Sequence, residues 1–377
     1  MIRSSVGVLR LGFGVGVTAI LGVTMAACGG HLPGLATTAG TSIELQSTPV
    51  AVYDPLTGKT KVVLEFQVRD GAGNSVDPST ATLQRYVNGQ VVDVESVLAT
   101  QDTKLSSNLQ LGVVLDASYS MTQWQPPAFE PMKKAAYDML QSIRTQFSSW
   151  GTFGSSLGWF QDKYVCAPSS TSMPDSAVLS IPTPQAGDST RLFAATAQMV
   201  DRMKQIYDAS PALTAADHFA MVVFTDGYDN YSWFDASDPS KVPPVSYPAT
   251  GGSFTCGGTG PFALSDVVTK LQAFPQLKVH VIGLGNQIKL SELTAIANAG
   301  HGRLVSNPDP SQVSTLFGEI AREFTTIRRD GITMPLPPGD YEYVEEVTAG
   351  GGTAHVRFRF HAGDATATVI ASSVTTT

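Results

Sequence analysis

The stretch Leu111-Gly112-Val113-Val114-Leu115-Asp116-Ala117-Ser118-Tyr119-Ser120 decides the fold. Its apolar first half fits a buried strand, and it closes on one carboxylate and two hydroxyls at alternate positions. Alternate side chains of extended backbone share one side, so Asp116, Ser118 and Ser120 are expected to converge as the strand turns toward a helix. Oxygen-only donors suit a small hard cation such as Mg²⁺, which prefers near-octahedral oxygen coordination and keeps some of its water. Taken alone, the pattern fits a turn or helix cap equally well.

Two further segments follow in order. Val222-Val223-Phe224-Thr225-Asp226-Gly227 is a second apolar strand ending in a carboxylate, with a glycine suited to a sharp turn. Between them, Gly187-Asp188-Ser189-Thr190-Arg191-Leu192-Phe193 is a polar loop entering an amphipathic stretch. Together the three segments resemble a von Willebrand factor type A (VWA) domain with its metal-ion-dependent adhesion site. The resemblance matches Asp116, Ser118 and Ser120 to the first loop of that site, Thr190 to the second and Asp226 to the third. Lys278-Val279-His280-Val281-Ile282-Gly283-Leu284-Gly285 resembles the family's later V-x-x-I-G-x-G strand. The segments Ser291 to Ala297 and Gly302 to Val305 resemble the helix and short strand after it, so the likeness runs from Leu109 to Ile327. It implies a shared divalent ion, Mg²⁺ with Ca²⁺ or Mn²⁺ as alternatives. It also implies a protein partner whose Asp or Glu completes the coordination sphere, in adhesion or complex assembly rather than catalysis.

The alternation of strand and helix signals argues for an α/β, doubly wound, Rossmann-like domain. Strand Leu111 to Leu115 leads into helix Pro131 to Phe147, where Met132, Ala135, Ala136, Met139, Leu140 and Ile143 recur at helical spacing. Further helices are expected at Leu192 to Tyr207, Leu264 to Phe274 and Ser311 to Thr326. Ser156 to Phe160 and Tyr164 to Cys166 read as a strand pair. Before this domain, strand-like segments occur at Ile43 to Tyr53, Lys61 to Val68, Ala81 to Tyr86 and Gln90 to Val97. After it they recur at Tyr341 to Thr348, Thr353 to Phe360 and Ala365 to Ala371. About seven strands match an immunoglobulin-like sandwich, so the expected architecture is a VWA domain (residues 107–328) inserted into a split β-sandwich (41–106 and 329–373). Two independent small β units are the alternative, and at these lengths they would be marginal.

Cellular address is read from the first residues. Arg3 and Arg10 precede the apolar, glycine-rich run Leu11 to Ala27, which ends Met25-Ala26-Ala27-Cys28, so residues 1–27 read as a secretory signal. The junction resembles a bacterial lipobox, which implies cleavage before Cys28 and lipid on its thiol, with residues 28–40 as a tether. The expectation is an exported, membrane-anchored lipoprotein, at the outer membrane or cell surface in a two-membrane organism. The net charge of −8 grows more acidic without the two arginines of that segment, which argues against nucleic acid. Once Cys28 is assigned to lipid, Cys166 and Cys256 remain. In an exported protein they favour a disulfide over buried free thiols, closing a loop of about 90 residues worth roughly 4 to 5 kcal/mol before strain.

Residues 228–261 interrupt the α/β pattern directly after Asp226. The length of this loop suggests function, and Tyr228, Tyr231, Trp233 and Phe234, with Tyr247 and Phe254, make it aromatic. These side chains fit a partner-contacting rim or a mini-core pinned by Cys256; Trp124 fits the rim or a cover over the start of the following helix. Gly58-Lys59-Thr60 lacks the leading glycine of a P-loop, and no G-x-S-x-G or H-E-x-x-H motif occurs. Two competing functions stand beside metal-dependent protein binding. One is a structural envelope lipoprotein whose metal only stabilises the fold. The other is a metal-assisted hydrolase, which lacks an evident general base.

Overall fold

The computed structural model describes residues 40–71, 73–77, 80–92, 107–161, 164–166, 175–186, 190–210, 217–230, 232, 262–349, 352–363 and 369–376. Strands β1 (Ser42–Leu45), β2 (Val50–Asp54), β3 (Lys59–Arg69), β4 (Thr82–Val87) and β5 (Gln90–Val91) come first. Strand β6 (Ser107–Asp116), helices α1 (Ser120–Gln123) and α2 (Phe129–Phe147), and strands β7 (Gly151–Phe160) and β8 (Tyr164–Cys166) follow. The alternation continues with α3 (Leu192–Ala209), β9 (His218–Thr225), α4 (Leu264–Gln272), β10 (Leu277–Leu284), α5 (Leu290–Ala299), β11 (Leu304–Asn307) and α6 (Val313–Thr325). Four strands return: β12 (Arg328–Pro335), β13 (Gly339–Ala349), β14 (Gly352–Ala362) and β15 (Val369–Thr376). Among the described residues no helix is long and apolar enough to cross a membrane.

The middle of the chain is the doubly wound α/β unit. Its six-stranded sheet runs β11-β10-β9-β6-β7-β8, parallel throughout except that β8 lies antiparallel to β7. Helices on both faces explain the unbroken apolar run of β6. Val113 and Leu115 pack with α2 and α6, whereas Val114 faces the opposite core with α3. Helix α6 places Val313, Leu316, Phe317, Ile320 and Phe324 on one buried stripe, and Phe317 stacks on Phe224 of β9 with ring centroids 5.4 Å apart. From β6 the chain moves outward to β7 on one side and later to β9, β10 and β11 on the other. The switch between β6 and β9 opens a crevice beyond their carboxyl ends, where such sheets bind ligands.

The two chain ends build the split sandwich. In one sheet β1 and β2 both pair with β3, and β12 pairs with its other edge. The facing five-stranded sheet runs β15-β14-β13-β4-β5. Ile43, Leu64, Phe66, Ile332, Tyr343, Phe358 and Phe360 fill the space between the sheets. The segment expected as one strand from Ile43 to Tyr53 is two, broken at residues 46–49, where Pro49 removes a ladder donor. Strand β12 was not anticipated from its charged start. It packs so closely on β3 that a Cβ on Gly331 would lie 1.8 Å from the Val62 carbonyl oxygen. The expected Gln90 to Val97 strand is described only through β5, its remainder running into residues 93–106. Of the strand expected from Ala365 to Ala371, residues 365–368 lie outside the described set; the described part is the start of β15, which runs on to Thr376.

Strand β3 is buried on both sides. Leu64, Phe66 and Val68 enter the sandwich core, while Glu65, Gln67 and Arg69 face the α/β unit. Glu65 meets Nε2 of His218 at 2.9 Å, and the Gln67 amide donates to Thr326 Oγ1 at 2.8 Å. Arg69 donates to Glu44 at 2.6 Å and to Glu323 of α6 at 2.8 Å, and Arg303 reaches the same Glu323 at 3.1 Å. Charges so removed from water are tolerated because each has a partner. Burial alone would raise the Glu323 carboxyl, yet the hydrogen bond and charge of Arg69 outweigh it and hold it at about 2.

Candidate metal centre

Asp116 ends β6 fully buried. Its Oδ1 accepts the backbone N–H of Ser118 at 2.8 Å, and its Oδ2 accepts the Thr225 hydroxyl, at the end of β9, at 2.7 Å. The first of these bonds is an Asx turn, which curls the chain out of the strand. Convergence of the D-x-S-x-S residues therefore differs from the expected alternation: Asp116 closes the strand, Ser118 sits in the bend and Ser120 opens α1. Buried Met121 anchors this short helix beneath the loop. The Ser118 and Ser120 hydroxyl oxygens lie 2.9 Å apart, and Ser120 donates to Asp226 Oδ1 at 2.8 Å.

Thr190 arrives from the loop before α3. Its N–H donates to Asn230 Oδ1 at 2.9 Å, and the Asn230 N–H returns to the Thr190 carbonyl at 3.1 Å. Asp229 accepts the Phe193 N–H at 3.0 Å, a carboxylate at the positive end of α3, while Ser232 Oγ accepts the Ala194 N–H at 2.9 Å. Residues just after Asp226 thus position the Thr190 loop. Thr190 is only 5% exposed, and its hydroxyl lies 3.6 Å from where a Cβ on Gly227 would stand. The five residues singled out in the sequence meet at the carboxyl ends of β6 and β9. Beside them opens a cleft of about 370 Å³, lined by Ser120, Thr190 and Asp226 together with Trp124, Tyr228 and Gln287.

The electrostatics of the cluster follow from dryness. Burial raises the Asp116 carboxyl, and burial together with the charge of Asp116 pushes Asp226 up to about 7, against the hydrogen bonds from Trp124 and Ser120. Two dry carboxyls side by side repel, and a divalent cation among the hydroxyls would offset that repulsion. The donor set holds only oxygens, and such a set fits a divalent cation that accepts oxygen ligands. Among the described residues no group of three or more His, Cys, Asp or Glu gathers, here or elsewhere, since this cluster holds two carboxylates and otherwise hydroxyls.

Two functional neighbours were not read from the sequence: Thr225 holds Asp116 and Asn230 holds Thr190. Trp124, expected as part of a rim or a cover over a helix, lines the cleft, and its indole N–H donates to Asp226 Oδ2 at 2.7 Å. The threonine of T-D-G was a visible signal. Asn230 had none, and neither did the bond from Trp124 to Asp226, because these partners are far away in sequence. Of the expected rim, Tyr228 is 43% exposed on the cleft with the Lys289 ammonium 5.1 Å from its ring centre. Tyr231, Trp233, Phe234, Tyr247, Phe254, Cys256 and Cys28 lie outside the described residues, and Cys166 is described only as backbone of β8, so the expected disulfide lies outside them as well.

No protein-family model matches the sequence, and no curated protein matches it. Solved structures do match. A von Willebrand factor type A structure from Catenulispora acidiphila is similar at 10% identity over 91% of this chain and 74% of that one, with a TM-score of 0.41. Proximal thread matrix protein 1 from the mussel byssus, with a zinc-occupied MIDAS motif, is similar at 14% identity over 66% of this chain, with a TM-score of 0.39. The chain spans 50% of that protein's length. The von Willebrand factor domain of the type V pili tip protein Mfa5 from Porphyromonas gingivalis is similar at 13% identity over 58% of this chain and 95% of that one, with a TM-score of 0.37.

Proposed function

We propose that the chain is a metal-dependent protein-binding module of the VWA kind, acting in adhesion or complex assembly and not in catalysis. The observation that carries this reading is the meeting of Asp116, Ser118, Ser120, Thr190 and Asp226 beside one open cleft at the sheet's switch point. Asp116 and Asp226 would set affinity for Mg²⁺, or for Ca²⁺ or Mn²⁺, while the three hydroxyls shape an octahedral sphere. With few carboxylates around it, a bound cation keeps positive charge and attracts an external one. A partner's Asp or Glu entering the cleft would therefore complete the sphere.

The proposal includes an address. The apolar segment ending at Cys28 supports export and a lipid anchor, at the outer membrane or cell surface in an organism with two membranes. A partner met there would be another envelope or surface protein.

Titration calorimetry of the full chain with Mg²⁺, and chelator-sensitive capture from whole cells, test the reading. Wild type should take up the cation and release captured protein on chelation, and Asp116→Ala should do neither. If Asp116→Ala kept both properties, the reading would be wrong. If chelation lowered stability but released nothing, the cation would have a purely structural role.

A further inference from the structure

Trp124 is the side chain at the site that the proposed function leaves without a task. It stands immediately after α1, whose first residue is Ser120. The carboxylate of Asp226 is consequently gripped by both ends of one short element, Oδ1 by the Ser120 hydroxyl at 2.8 Å and Oδ2 by the Trp124 indole N–H at 2.7 Å. A third element holds the indole in place. Its six-membered ring lies against Gly285, just past β10, where a Cβ would come within 2.4 Å of Trp124 Cζ2. Gly285 has φ of +82°, a conformation that disfavours any other residue, and its N–H is tied to the Asn307 carbonyl at 2.8 Å. The indole is therefore seated on backbone rather than on a mobile side chain.

We propose, resting on the metal-site reading above, that Trp124 is a positioning residue for the cation site. By fixing Asp226 in one plane, the indole N–H keeps its other oxygen turned to the Ser120 hydroxyl proton; Ser120 then accepts from Ser118, which leaves one Ser120 lone pair free for a cation. Both oxygens of Asp226 already accept a donor in this arrangement, and that restrains the carboxylate from swinging to chelate a cation with both oxygens. The loop after β10 enters the same arrangement through Gly285. Outer partners of metal ligands act in this way, orienting the ligand and setting its basicity.

Trp124→Phe tests this: phenylalanine keeps an aromatic ring but deletes the N–H together with the outer ring carbons that lie on Gly285, and the indole resonance readout separates the two losses. The full chain is titrated with Mg²⁺ by calorimetry and with Mn²⁺ by electron paramagnetic resonance. Trp124→Phe should weaken Mg²⁺ binding at least about tenfold and alter the bound Mn²⁺ spectrum. Gly285→Ala, which displaces the indole, should weaken Mg²⁺ binding in the same direction. In cation-free protein the indole N–H resonance absent from Trp124→Phe should move in Asp226→Asn, a signature that a packing role would not produce. Wild-type binding with Trp124→Phe within twofold of it, or an indole resonance unmoved in Asp226→Asn, overturns the role of Trp124 alone. A wild-type chain that takes up no divalent cation overturns the metal-site reading, and this proposal falls with it.

Discussion

Acidification should expose what joins the sandwich to the α/β unit. Glu323 of α6 has a side chain only 1% exposed, paired with Arg69 at 2.8 Å and Arg303 at 3.1 Å. Its carboxyl is held at about 2 against an ordinary value of 4.5. Because the folded value is depressed, the folded state favours the ionised form. The contribution is fully present above the unfolded value near 4.5 and is lost as pH falls through about 2. A gap of this size corresponds to about 3 kcal/mol at neutral pH, at roughly 1.4 kcal/mol per pH unit. Glu323→Gln removes the titrating group and one of the two carboxylates that Arg69 pairs with, which should cost about 3–5 kcal/mol at pH 7, as for other broken buried pairs. Urea unfolding of the full chain at pH 7, 5, 4 and 3 reads both effects. The wild-type advantage over Glu323→Gln should be greatest at pH 7 and narrow steadily below pH 4.5. The comparison cancels groups that titrate alike in both proteins, including the raised Asp226. Parallel curves for the two proteins from pH 7 to pH 3 would refute the reasoning.

Two other outcomes follow from the site and the address. Thr225→Val removes the donor to Asp116 Oδ2 and should destabilise the cation-free protein by about 1–3 kcal/mol, the cost of a buried acceptor left unpaired; thermal melts with and without Mg²⁺ measure this, and an unchanged melt contradicts it. Cys28→Ser should shift the chain expressed in bacteria from the detergent phase to the aqueous phase on Triton partition, because the lipid is proposed to sit on that thiol; partition like wild type would remove the anchor from the proposal.

The legible part of the fold is the part whose residues have one environment. Strands β6, β9 and β10 read plainly because both faces are covered and apolar residues occupy every position that matters. The unanticipated strand β12 begins Arg328-Arg329-Asp330-Gly331, a run that reads as a solvated linker. In the structure Asp330 is fully buried, paired with Arg328 two residues away at 2.9 Å and with Arg85 at 2.7 Å, and it is the second partner, distant in sequence, that no local pattern announces. Strand β3 misleads in the same way. The alternation of Leu64, Phe66 and Val68 with Glu65, Gln67 and Arg69 reads as one core face and one wet face, but the polar face is a second interior surface. At the site, the five oxygen-bearing residues were legible through spacing and a family resemblance. Trp124 and Asn230 act through hydrogen bonds that no local pattern encodes.

Under the proposed function, the arrangement of these two polar systems lets binding and support coexist in one chain. The β unit grips the sheet at its amino end: Glu65 reaches His218 at the start of β9 and Ser107 at the start of β6, and Glu44 reaches Lys278 near the start of β10. Asp116 and Asp226 stand at the opposite end. The ten residues of β6 put roughly 30 Å between the two ends at about 3.3 Å per residue, several Debye lengths at physiological salt. The paired charges under the sheet therefore contribute to orientation and stability with little direct field at the cleft. What a charged partner meets at the carboxyl end is set locally, by the two aspartates, the hydroxyls, any bound cation and Lys289 over Tyr228. The acidic net charge of the chain does not forbid an acidic partner on this account. Such a partner would have to dock by contact at the cleft, without long-range steering by the molecule as a whole.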